Sequence, residues 1–176
     1  MKCFCRLLAL VLFAIMFSLP LSAALAANGE TTEEFYQWYS DGYNHFEEGK
    51  YEEAIESYQK AMEYDGPYFY SMMEIAEAYI LLEDFQLARD WLTEAKPYIS
   101  AENELARWYR RYGYIAIEEG EYELAYALYQ YSLGIEPSTM AEDEINYILR
   151  VAPDTKQFTA EEAANYLSEH FTVPAE

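Results

Sequence analysis

The chain has 176 residues, of which 32 are acidic and 11 basic, for a net charge of −21. That balance opposes binding to nucleic acid or to an anionic membrane over most of the surface. Acidity with few aromatics would indicate a disordered chain, but 19 Tyr, 9 Phe and 3 Trp supply the apolar mass of a folded core.

Residues 1–26 stand outside the fold. MKCFCR carries Lys2 and Arg6, LLALVLFAIMF is apolar and uncharged, and Ala24-Leu25-Ala26 closes the segment with small residues. The pattern predicts a secretory signal peptide cleaved after Ala26, and with it a secreted or periplasmic location, most simply a bacterial envelope. The alternative is an uncleaved anchor, because the apolar stretch almost spans a bilayer; Pro20, the serines and the small-residue end argue against it. Cleavage removes both cysteines, Cys3 and Cys5, so neither a disulfide nor thiol chemistry is expected. It leaves nine basic residues against 32 acidic ones, a net charge of −23. The mature chain, 27–176, is expected to form one domain that does not span a membrane.

Thr31-x-x-Glu34 reads as a capping box opening the first helix. EEGKY and EEGEY then supply tight turns in which Gly49 and Gly120 suit the left-handed residue that ends a helix. LLEDF is expected to make the same turn without glycine. After Pro137, Thr139-x-x-Glu142 opens another helix with Ile145, Ile148 and Leu149 on one side, and Pro153 closes it. Thr159-x-x-Glu162 starts a last amphipathic helix, where Ala163, Tyr166, Leu167 and His170 share a face.

The chain repeats itself. Within WYSDGYNHFEEGKYEEAIESYQKAMEYDGP (38–67), Gly42, Ala54 and Ala61 recur as Ala76, Ala88 and Ala95, and again as Gly113, Ala125 and Ser132. The third copy is offset by extra residues near Ile99–Glu102. This spacing resembles the 34-residue tetratricopeptide repeat, a helix–turn–helix unit with the pattern W-x2-L-G-x2-Y…A-x3-F…P. Trp38, Gly42, Tyr51, Ala54, Tyr58, Ala61 and Pro67 carry it in the first copy. Ala76, Tyr79, Phe85, Ala88 and Ala95 carry it in the second, and Tyr109, Gly113, Tyr122, Ala125, Tyr129 and Pro137 in the third. His45, Ala116 and Met72 depart from it. The resemblance implies an all-α, right-handed superhelical solenoid. Residues 27–137 would hold three repeats, about 35–68, 69–102 and 106–139, and 138–176 a two-helix C-terminal cap. Small residues let paired helices approach (Gly42 with Ala54, Ala76 with Ala88, Gly113 with Ala125), while Tyr58, Leu92 and Tyr129 fill the gaps between pairs.

In such solenoids the first helix of each pair lines a concave groove. The register places Tyr36, Tyr39, Tyr43 and Phe46 there from the first repeat and Tyr70, Met73, Glu74 and Glu77 from the second. Arg107, Arg110, Arg111 and Tyr114 follow from the third, with Trp108, Tyr109 and Tyr112 turned towards packing. The groove would thus run from aromatic through acidic to basic, and Tyr and Arg are enriched at interaction hot spots. The resemblance implies a protein-interaction adaptor. Its partner is an unidentified protein or peptide, its apolar part on the tyrosines and an acidic or carboxylate group on the arginines. Glu74 and Glu77 compete for those arginines as simple counter-ions. Cytosolic heat-shock cochaperones of the family clamp a terminal carboxylate. Arg107 and Arg111 match two of the clamp places, but Tyr39, Tyr43 and Glu74 do not match the others, which argues against those chaperones as partners.

Two other readings bear on the same residues. Tyr36, Tyr39 and Tyr43 could stack on sugar rings, making a cell-wall glycan-binding module. End-to-end stacking of repeats is opposed by the polar cap and by like charge, so a monomer is expected. No phosphate-cradling glycine loop, nucleophile elbow or calcium loop occurs, and His45 and His170 are far apart without cysteines. Neither an enzyme nor a cofactor nor a metal site is expected.

Overall fold

The computed structural model of the chain describes residues 32–172; the expected signal peptide lies outside them. Among the described residues every regular element is helical. The helices are α1 (Glu33–Glu47), α2 (Tyr51–Asp65), α3 (Phe69–Leu81) and α4 (Phe85–Ala95), then a 3-10 turn (Lys96–Tyr98). After it come α5 (Glu102–Glu118), α6 (Tyr122–Ile135), α7 (Thr139–Val151) and α8 (Ala160–His170). Consecutive helices pair as α1 with α2, α3 with α4 and α5 with α6, and the pairs stack into the expected all-α solenoid.

Pairing rests on small residues opposite large ones. A Cβ on Gly42 would lie 2.9 Å from the Tyr58 ring, and one on Gly113 would lie 2.9 Å from the Tyr129 ring. Each glycine therefore makes room for an aromatic side chain passing beneath its helix. The second repeat solves the same contact with Ala76 and Leu92, both fully buried.

The three turns within pairs share one geometry. Lys50, Asp84 and Glu121 each donate a backbone N–H to the carbonyl five residues back, on His45, Tyr79 and Ala116. This bond pattern needs a left-handed residue just before the donor. Gly49 (φ 74°) and Gly120 (φ 77°) supply it, and in LLEDF the residue is Glu83 at φ 60°. Two caps sit one residue from their expected places. Thr32 accepts from the Phe35 N–H to start α1, and Ser138, one residue before Thr139, accepts from Ala141 N to start α7. The Thr159–Glu162 capping box opens α8 as expected.

The junction between the second and third pairs differs from the others. The extra residues become the 3-10 turn and the Ser100–Ala101 segment, and α4 touches α5 at few points. Large side chains fill the space. Trp108, fully buried, donates its Nε1–H to the Leu92 carbonyl at 2.7 Å. Phe171, just beyond α8, packs on Tyr112 with ring centroids 4.9 Å apart and on Trp108 at 6.0 Å. The segment carrying it lies across α6, where a Cβ on Gly134 would come within 2.7 Å of the Ala160 Cβ. The cap thus closes the last pair and also plugs the junction upstream of it.

Candidate functional site

The concave face is built from α1, α3 and α5, and its two ends differ chemically. On α1, Tyr36, Tyr39 and Tyr43 share one helix face through i+3 and i+4 spacing. Tyr36 is 61% exposed and Tyr43 54%. Tyr39 is half-buried, edge to face on Tyr58 at 5.3 Å, while Phe46 turns to Tyr51 at 5.4 Å and packs within the first pair. Tyr70 on α3 faces the same space, with the Arg107 guanidinium over its ring at 5.9 Å. Met73 corrects the register reading: it is fully buried in the core and presents no surface to the groove. A residue next to a groove position on a helix facing two neighbours is claimed by whichever contact is larger, here the core.

Tyr68, missed by helical register because it is the N-cap of α3, joins the tyrosine end. It meets Phe35 edge to face at 5.2 Å and lies 6.2 Å from Tyr39. The only signal for it is its place after Pro67, where the chain re-enters the concave side. Burial first, and Glu74 second, push the Tyr39 phenol up to about 12. Burial likewise raises Tyr58, whose fully buried hydroxyl has no hydrogen-bond partner.

The centre is an ion-pair network. Arg107 reaches the Glu74 carboxylate at 2.6 Å and stands 4.0 Å from Glu77, while Arg111 pairs directly with Glu77. All four side chains are largely withdrawn from water. Burial pushes the Glu77 carboxyl above its ordinary range more strongly than Arg111 pulls it down. Burial also lowers the Arg111 guanidinium, whose Nε is buried without a partner, whereas at Arg107 burial is outweighed by the Glu74 charge and hydrogen bond together with the Glu77 charge.

The third arginine behaves differently. Arg110 leaves this network and pairs with Glu136 at 3.2 Å, where α6 ends. The expected basic end of the groove is therefore absent: two of its arginines are neutralised in place and the third is tied to its own repeat. Beyond them Tyr114 faces Glu118 and Glu144, and burial followed by the Glu118 charge raises its phenol.

The predicted set is thus brought together in part. Tyr36, Tyr39, Tyr43 and Tyr70 form one aromatic end, Glu74, Glu77, Arg107 and Arg111 one charged centre, and Tyr114 the far wall. Phe46, Met73 and Arg110 serve packing or a different ion pair. Among the described residues no group of His, Asp and Glu could hold a metal ion, and no helix is long and apolar enough to cross a membrane.

Residues 38–68 match the tetratricopeptide repeat family. No curated protein matches the chain in sequence. Among the solved structures that resemble it are three tetratricopeptide-repeat domains. The first tetratricopeptide-repeat domain of Spaghetti (RPAP3), bound to the HSP90 peptide SRMEEVD, is 25% identical with a TM-score of 0.59, over 70% of this chain and 96% of that one. The Arabidopsis OM64 tetratricopeptide-repeat domain is 22% identical with a TM-score of 0.58, over 69% of this chain and 98% of that one. The second such domain of human RPAP3, in complex with the HSP70 peptide SGPTIEEVD, is 24% identical with a TM-score of 0.53, over 65% and 97%. The chain has the fold of these domains.

Proposed function

We propose that this tetratricopeptide-repeat chain is a non-enzymatic protein-interaction module that holds a peptide segment in its concave groove, outside the cytoplasm once residues 1–26 are removed. One observation carries the reading. α1, α3 and α5 align exposed tyrosines beside a partly buried charge network on one continuous face, a combination that offers contact area and polar selectivity. The first RPAP3 domain, which resembles this chain over 70% of its length, is bound to a peptide.

The arginines set the terms for an acidic partner. A carboxylate arriving at the groove has to take Arg107 from Glu74 or Arg111 from Glu77, and its gain is the difference between two similar ion pairs. That exchange is the form in which the groove could grip an acidic group. Its cost explains why a peptide such as SRMEEVD is a poor candidate here.

Selection of a random peptide library on residues 27–176 tests the reading. Groove-binding peptides should be enriched and should lose affinity when Tyr36 and Tyr43 or Arg107 and Arg111 are substituted. A selection that returns nothing, or peptides sensitive only to convex-face substitutions, would refute it. Within that experiment, peptides lost on Arg107→Glu plus Arg111→Glu would be the acidic ones, and peptides held equally would locate binding at the tyrosine end.

A further inference from the structure

The tyrosine end of the groove has a surface chemistry of its own. Its rings meet mostly edge to face: Phe35 with Tyr36 at 80°, Phe35 with Tyr68 at 90°, Tyr39 with Tyr68 at 75°, and Tyr39 with Tyr58 at 63°. Rings so arranged present ridges and notches, not the flat platform on which a sugar ring stacks. Tyr36, Tyr43 and Tyr68 are exposed, the last by 37%.

Its hydrogen-bonding capacity is equally distinctive. The Tyr58 hydroxyl is buried without a hydrogen-bond partner, while the Tyr36, Tyr43 and Tyr68 hydroxyls belong to exposed side chains that an incoming ligand can reach. The two carboxylates beside them are already engaged. Glu74 is held by Arg107, and Glu104 accepts from the Ser100 and Ala101 amides at 2.7 and 3.2 Å. The surface therefore offers rings and O–H donors, with its neighbouring acceptors in use. A proline-rich backbone brings carbonyl acceptors and apolar rings, which phenol O–H donors and tyrosine rings complement directly. Charge agrees: Asp65 and Glu74 face these tyrosines, and the nearest cation, Arg107, is paired. An acidic segment is repelled, and an uncharged one is not.

Length fits as well. Tyr36 to Tyr43 spans about 10 Å along α1 at 1.5 Å per residue. One turn of polyproline II rises about 9 Å. Prolines three residues apart would meet the two exposed rings in register, and the stiff backbone would lose little entropy on docking.

We infer that the ridge of Tyr36, Tyr39, Tyr43 and Tyr68 binds a proline-rich segment of a partner protein in polyproline II conformation, its carbonyls accepting from the tyrosine hydroxyls. This names the ligand class of the groove already described and rests on that reading.

The test is isothermal titration of residues 27–176, which contain every described helix, with four probes. These are a blocked oligoproline, a Gly-Ser peptide of equal length, the peptide SRMEEVD, and a soluble oligomer of N-acetylglucosamine. Oligoproline should bind and the other three should not. Tyr36→Ala with Tyr43→Ala should weaken oligoproline at least tenfold without moving the melting temperature, because both rings are exposed, while Glu161→Gln, on the exposed surface of α8, should leave it unchanged. Absence of oligoproline binding at millimolar concentration, equal binding by the tyrosine variant, or preference for the glycan would each overturn the inference. If library selection meanwhile returns proline-poor peptides that need the groove, the interaction reading stands and only the ligand class falls. If no peptide of any kind binds, both fall.

Discussion

Gly113→Ala is the most direct probe of how the pairs are assembled. An added methyl would stand 2.9 Å from Tyr129 Cε2 and 3.1 Å from Cδ2 and Cζ. That ring is 1% exposed and cannot swing out to solvent. Overpacking of this kind costs about 1–3 kcal/mol. Replacing a mid-helix glycine by alanine returns about 1 kcal/mol of helix propensity. The net loss should be about 1 kcal/mol, or about 2–4 °C in melting temperature for a domain of this size. The second repeat supplies the compensating partner, since Ala76 there faces Leu92. Tyr129→Leu alone should cost about 2 kcal/mol by leaving a cavity against Gly113. In the double variant the methyl occupies that cavity, so the loss should fall short of the sum by at least about 1 kcal/mol. Urea unfolding of the four proteins measures the cycle. A Gly113→Ala variant more stable than the parent, or additivity within about 0.5 kcal/mol, would refute the ring-under-glycine account.

Other outcomes follow from single contacts. Ala54→Phe should destabilise by about 1–3 kcal/mol, because Ala54 is fully buried between α1 and α2; thermal unfolding checks it. Glu83→Gly should raise stability by about 0.5–1 kcal/mol by relieving the left-handed backbone at φ 60°, and a lower midpoint in urea would contradict it. Burial pushes the Glu104 carboxyl up, but the Ser100, Tyr70 and Ala101 donors together outweigh it and hold it below its ordinary 4.5. A depressed carboxyl stabilises above its unfolded pKa and loses that contribution as pH falls through the folded value. The stability difference between the parent and Glu104→Gln should therefore be full at pH 7 and shrink below about pH 4.5, as denaturant titrations across pH would reveal. Phe171→Ala should cost about 1–2 kcal/mol, less than a fully buried phenylalanine, and should shift Trp108 emission to the red as the junction opens to water.

Particular residues mark where legibility ended. The glycine and alanine spacing located the helix pairs because small residues are required wherever two backbones approach, a constraint that repeats along the chain. The three turns were legible for the same reason, including LLEDF, where the repeat period demanded a left-handed residue that composition did not advertise. Arg107 and Arg111 could be set beside Glu74 and Glu77 from register alone. Arg110 could not be matched to Glu136, because the choice among several carboxylates within reach of a long side chain depends on where another helix ends. Met73 was misplaced on the groove surface because helical register specifies a direction and not the depth at which a neighbour covers it.

The sequence by itself determined the repeat and the helix order, since these follow from local periodicity and from small residues at fixed intervals. Only the tertiary structure decided the rest: Tyr68 joining the tyrosine end, Phe171 plugging the junction between the second and third pairs, and the arginines finding glutamates on a neighbouring helix before any ligand. The physical reason is common to all three. Each is a contact between segments far apart in the chain, fixed by the stacking angle of helix pairs and by competition among chemically similar partners, and neither quantity is encoded at a single position.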